Sequence, residues 1–162
     1  MLLRPIGFGA LFLALTSVAL SFVHPWGDVR SVVTGGQILE GSEVPQNVRR
    51  ILESKCADCH SNQTRWPVYS RLAPVSWLVE RDVHAGRSAM NLSLWAGMSV
   101  EDRIALLARI AAEVRSGEMP PKPYAKIHAA VLTDAEKQEI AVWARSERKR
   151  IRTENAGQKE KK

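Results

Sequence analysis

Two cysteines in 162 residues are too few for a disulfide framework. Aromatic residues are also scarce, at 6%, so a small domain has few large side chains with which to fill a core. Basic charge is not spread along the chain. Residues 145–162 hold eight basic and three acidic side chains, which leaves fifteen basic against fourteen acidic in the remainder. That balance argues against a uniformly basic nucleic-acid-binding surface, and no helix-turn-helix or zinc-finger spacing accompanies it. The charged and apolar fractions, 25% and 45%, are those of an ordinary globular protein, and the length fits one domain with appendages.

What the chain does have is concentrated in Cys56-Ala57-Asp58-Cys59-His60. The C-x-x-C-H pattern is the attachment signature of c-type haem. Two thiols three positions apart sit close enough for each to add to one haem vinyl group. The histidine that follows lies under the porphyrin and supplies the proximal iron ligand. A thioredoxin-like dithiol expects a βαβ context, which is missing from a chain that reads helical. A structural zinc site needs four N/S ligands, and the second pair would have to come from the scattered His24, His84 or His128.

The chain around the motif reads as follows. Residues 6–23 carry no charge and follow Arg4, a pattern that directs the chain to export. The run is long for a signal peptide and just short for a membrane span, and an uncleaved anchor is favoured over a cleaved signal. Arg4 on the short side places the body outside the inner membrane. Residues 24–43, rich in glycine and proline, form a linker with a short extended piece at 29–33. Helices are predicted over 45–55, over 74–84 with Gly86-Arg87 ending the second, and over 99–116 with Ser99 as cap and Gly117 as stop. Three prolines at 120, 121 and 123 hold a stiff extended loop. Thr133-Asp134-Ala135-Glu136 is a capping box that opens a last helix, and residues 149–162 are expected to be a disordered basic tail. Met119, at the mouth of the proline loop, is the favoured sixth ligand. His84, His128 and an open position are the alternatives. Arg65 and Trp66 are candidates to hydrogen-bond a haem propionate.

A longer set of residues carries a family likeness. It runs Cys56-Ala57-Asp58-Cys59-His60-Ser61-Asn62-Gln63-Thr64-Arg65-Trp66-Pro67-Val68-Tyr69-Ser70, then Ala73-Pro74-Val75-Ser76-Trp77-Leu78-Val79, Gly86-Arg87, Asn91-Leu92-Ser93-Leu94-Trp95 and Met119-Pro120-Pro121. Over roughly 44–145 the chain resembles a bacterial family of small haem-binding, cytochrome c-like domains. It departs from that pattern at Val68 and Leu92, where aromatic residues are expected. The resemblance implies one covalent haem in a helical domain, with Cys56 and Cys59 as attachment points and His60 as proximal ligand.

The expectation is therefore an all-α chain in four parts: an anchor or signal segment at 1–23, a linker at 24–43, a mono-haem cytochrome c-like domain at 44–148 and a tail at 149–162. It would carry haem c and pass single electrons to unnamed redox partners at the periplasmic face of the inner membrane. A haem-based ligand sensor is the first rival, and a peroxidase-like enzyme with His84 as its acid/base group is the second.

Overall fold

The structure, a computed structural model, describes residues 4–30 and 36–160, and residues 4–6 by their backbone only. The described residues are all-helical, with no strand. The helices are α1 (Arg4–Leu20), α2 (Gln46–Lys55), α3 (Ala57–His60), α4 (Val75–Ala89), α5 (Val100–Ser116), α6 (Lys122–Ile127) and α7 (Asp134–Lys159). Short 3-10 turns at Val68–Arg71 and Leu92–Gly97 precede α4 and α5.

The core lies where α5 packs along α7, the most extensive helix–helix contact in the fold. The helical period in α5 brings Leu107, Ile110, Ala111 and Val114 inside. From α7 come Ile140, Ala141, Trp143 and Ala144. α2 lays Val48, Ile51 and Leu52 on the same cluster. Both long helices start as the sequence indicates. Ser99 Oγ accepts from Asp102 N at 3.0 Å, and Thr133 and Glu136 close a reciprocal capping box. Gly117 ends α5 with φ +76°, a conformation that suits glycine.

Four expectations need correction. The 149–162 tail is not disordered over its described part, because α7 runs on to Lys159. Composition averages over the charges, whereas their spacing orders them. Arg150 Nε and Nη2 hold the buried Glu147 at 2.8 and 2.6 Å, and Nη1 reaches Glu154 at 2.7 Å. These are i,i+3 and i,i+4 neighbours, and Ile151 beside them is buried. Next, Gly86 and Arg87 do not end α4, which continues to Ala89; Gly86 is an interior packing position. The proline loop is not wholly extended either. Pro121 caps α6 and Pro123 sits in its first turn, where a missing N–H leaves no bond unmade. Finally, 24–43 is more than a linker. Val29, Ile38 and Leu39 are buried, Leu39 N donates to Leu92 O at 3.1 Å, and Trp143 Nε1 donates to Glu43 O at 3.0 Å. The extended piece expected at 29–33 lies largely outside the described residues; Val29 and Arg30 form a turn.

The N-terminal segment meets the body at the start of α4. Ser17 Oγ donates to Ala73 O, Ala73 N donates to Ser21 Oγ at 2.8 Å, and Trp77 Nε1 donates to Val23 O at 2.8 Å. Phe8, Leu11, Phe12, Leu13 and Leu15 of α1 remain exposed. Among the described residues no helix is long and apolar enough to cross a membrane. α1 spans 17 residues, about 25 Å at 1.5 Å per residue, against a hydrocarbon core of about 30 Å.

Behind that junction lies Glu80 of α4, whose side chain is 1% exposed. His24 Nδ1 donates to its Oε2 at 3.1 Å and Arg30 Nε to its Oε1 at 3.0 Å. Arg30 also donates to Ser70 O and lies 4.2 Å from the Trp66 ring centroid. A buried carboxylate is tolerable only with such partners. Because Arg30 keeps some solvent exposure, removing Glu80 would not strand its charge completely. Glu80→Ala should cost about 1.5–3 kcal/mol, the range for hydrogen bonds to charged groups, read from the urea midpoint. A loss below about 0.5 kcal/mol would show that the 24–30 segment is not anchored there.

Candidate haem site

α2 delivers the chain to the attachment turn and is fixed at its end. Lys55 Nζ reaches both Glu136 oxygens at 2.7 Å and Val131 O at 2.8 Å. Cys56 then leaves helical geometry, with φ −125°, and α3 restarts as a single turn. At about 100° per residue, Cys56, Cys59 and His60 share one side of that turn. Ala57 points into the core, 4% exposed, and Asp58 lies on the far side.

Side chains around the turn satisfy its carbonyls. Ser61 Oγ donates to Ala57 O at 2.8 Å, and Thr64 Oγ1 donates to Asp58 O at 2.7 Å. Arg87 takes Ser61 O at 2.9 Å, Thr64 Oγ1 at 3.0 Å and Val29 O at 2.7 Å. α4 then presses directly on the motif. A Cβ on Gly86 would stand 2.5 Å from Cys59 O and 2.9 Å from Cys59 Cβ, so only glycine allows this approach.

The electrostatics of the site separate the readings. Both cysteines are free and half-buried. Burial, and then Cys59, push the Cys56 thiol up to about 12. Burial, then Asp58 and Asp82, push Cys59 up to about 11. A redox dithiol needs a depressed thiol pKa, so these protonated thiols oppose the dithiol reading. Among the described residues no group of three or more His, Cys, Asp or Glu is placed to hold a metal ion. Burial lowers the His60 pKa and keeps the ring neutral, as a metal ligand must be. Its Nδ1 lies 3.2 Å from Met90 O. With the proton there, Nε2 carries the lone pair, and the carbonyl fixes the orientation of the ring.

The surroundings fit a flat apolar group. Val75 and Leu78 of α4 are 43% and 50% exposed, and helical spacing puts them with Val79 and Asp82 on the Gly86 face that meets Cys59. Leu72 and Tyr69, just before α4, are exposed as well. A strip of uncovered aliphatic side chains beside two thiols and a neutral imidazole is what a porphyrin would cover.

The other predicted residues are placed less simply. Arg65 is turned to Asp58, with Nε to Oδ1 at 3.0 Å and Nη2 to Oδ2 at 3.1 Å. Trp66 lies against Arg30. Met119 is 38% exposed, with its N donating to Glu113 O at 3.4 Å. Among the described residues no hydrogen bond or ion pair joins it to the attachment turn. His84 is exposed on the α4 face opposite Gly86. His128 stacks on Tyr124, with centroids 4.4 Å apart, and hydrogen-bonds Tyr69.

Three contributors were not singled out from the sequence. Gly86 looked like a helix stop, and Met90 contributes a backbone atom that no side-chain pattern reveals. Tyr124 donates to Asp58 Oδ2 at 2.9 Å, and burial followed by Asp58 holds its phenol well above the ordinary range. Its one available signal was an aromatic side chain five residues after Met119 in an aromatic-poor chain. A cleft of about 360 Å³ opens on this far side, lined by Lys55, Asp58, Arg65, Tyr124 and His128 among others. Its lining includes neither thiol, but Cys59 is near enough to help raise the Tyr124 phenol.

A turn with two thiols, a neutral histidine and an apolar strip defines the class as haem-binding. The model of the haem-binding domain family matches residues 15–146, and the chain belongs to that family. No curated protein and no solved structure matches it.

Two measurements test the site. Gly86→Ala should destabilise the fold by about 1–3 kcal/mol, because the Cys59 backbone must move; an unchanged melting midpoint would mean that α4 does not seat the turn. In the haem-free chain, Cys59 should alkylate on the order of a hundredfold more slowly at pH 8 than a thiol of ordinary pKa near 9. Ordinary labelling rates by mass spectrometry would contradict the burial of that thiol.

Proposed function

We propose that this chain is a mono-haem c protein of cytochrome c-like fold that passes single electrons outside the bacterial inner membrane. One observation carries the reading: both thiols and the neutral His60 share one side of a rigidly held turn, facing an uncovered apolar strip. Bound there, the haem iron would supply a one-electron couple whose potential the protein sets through axial ligands, burial and hydrogen bonds.

The chain's own residues divide the work. Cys56 and Cys59 hold the group covalently, which fixes its orientation on the strip. His60 presents Nε2, and Met90 O keeps that tautomer in place. Met119 would supply the other iron ligand, a soft thioether that raises the potential. Arg65, which holds Asp58, and Trp66, which lies against Arg30, are the candidates to serve a propionate. Export follows from covalent attachment, and the exposed apolar length of α1 suits contact with the membrane. Redox partner proteins would meet the outer-face domain.

The exposure of Met119 favours one second reading, a haem-based ligand sensor with a labile sixth ligand. A peroxidase-like enzyme has less support, since His84 lies on the wrong face of α4.

Protein produced with c-type haem maturation should retain haem through acid–acetone extraction. Cys56→Ser and Cys59→Ser should each leave one linkage, and the double variant none. Extractable haem in the unaltered chain would overturn covalent attachment. Met119→Ala should lower the reduction potential; an unchanged potential and spectrum would exclude Met119 as ligand.

A further inference from the structure

Asp58, between the two cysteines in sequence, has a side chain only 14% exposed. Its oxygens are heavily engaged. Oδ1 accepts from Arg65 N and Nε, both at 3.0 Å. Oδ2 accepts from Arg65 Nη2 at 3.1 Å and from Tyr124 OH at 2.9 Å. The Arg65 bonds close a short local loop. The Tyr124 bond instead spans 66 residues and ties α6 to the attachment turn.

Among the described residues no other hydrogen bond joins α6 to that turn. It is six residues long and follows directly on the segment that carries Met119. Four residues separate Met119 from Tyr124, and three of them, at 120, 121 and 123, are proline. Each proline fixes its own φ, so the segment has little freedom to swing once Tyr124 is held. At its other end the segment leaves α5 through Gly117 and is tethered by Met119 N to Glu113 O. The ring of Tyr124 is held from behind by His128, which stacks on it and bonds Tyr69.

We propose that Tyr124 is a positioning residue: its hydroxyl, latched on Asp58, holds the Met119 loop over the attachment turn and sets how firmly Met119 keeps the sixth position on iron. The inference rests on the reading of Met119 as axial ligand. A charge-assisted hydrogen bond from a phenol to a carboxylate is stronger than a neutral one, and its loss shifts a loop equilibrium by about tenfold or more. An exogenous ligand competes only for the open population, so its apparent affinity reads that equilibrium directly.

The test uses the ferric holo-protein, with cyanide as probe and the reduction potential as second readout. Met119→Ala sets the fully open limit. Tyr124→Phe keeps the ring and its stack on His128 but removes the hydroxyl, and should raise apparent cyanide affinity by about tenfold. Asp58→Asn, which weakens the same bond from the other side, should move affinity in the same direction. The double variant Tyr124→Phe/Met119→Ala should bind cyanide no more tightly than Met119→Ala alone, since Tyr124 acts through Met119. Circular dichroism and haem content matching the unaltered protein establish that Tyr124→Phe is folded and loaded. If Met119→Ala opens the iron while Tyr124→Phe leaves affinity and potential unchanged, the latch is overturned and the ligand assignment stands. If Met119→Ala itself changes neither, the ligand assignment falls and the latch with it.

Discussion

Gly86 of α4 lies against the Cys59 carbonyl so closely that a Cβ would stand 2.5 Å from it. This approach fixes where α4 crosses the attachment turn, and much of the site follows from it. It brings the Val75–Leu78–Val79 strip alongside the cysteines and sets Asp82 near enough to Cys59 to raise its thiol pKa further. It also places the end of α4, and hence Met90 O, within reach of His60. A methyl group at this one position would push all of these out of register together.

The second organising feature is the use of buried charge to anchor segments that lack cores of their own. Glu80 gathers His24 and Arg30, so the chain after α1 is bound to α4. Glu147 holds Arg150, which also reaches Gly41 O at 3.3 Å. Each carboxylate would be costly without partners. With them, each joins one end of the chain to the domain.

Much of this was legible in the sequence where one interaction type decides the outcome. Periodic apolar positions predicted α2, α5 and the start of α7, because core burial dominates there. C-x-x-C-H and the ordered run after it pointed to a haem-binding family, and the family match agrees. What was not legible depends on long-range contacts. Gly86 reads as a stop by local rules, yet it is needed inside α4 for a contact 27 residues away. Residues 149–159 read as disordered from composition, but i,i+3 and i,i+4 ion pairs and buried Ile151 make them helix. Residues 24–43 read as a linker because their partners, Leu92, Trp143 and Glu80, lie far along the chain. The Tyr124–Asp58 bond has the same origin.

The proposed function requires a closed iron held between His60 and a residue from the proline loop. The absorption spectrum of the reduced holo-protein, taken before and after addition of CO, tests this most directly. A sharp low-spin spectrum that CO leaves unchanged is the predicted result and means an electron carrier. A spectrum that shifts on CO addition would contradict the account and mean an accessible iron, as a ligand sensor requires.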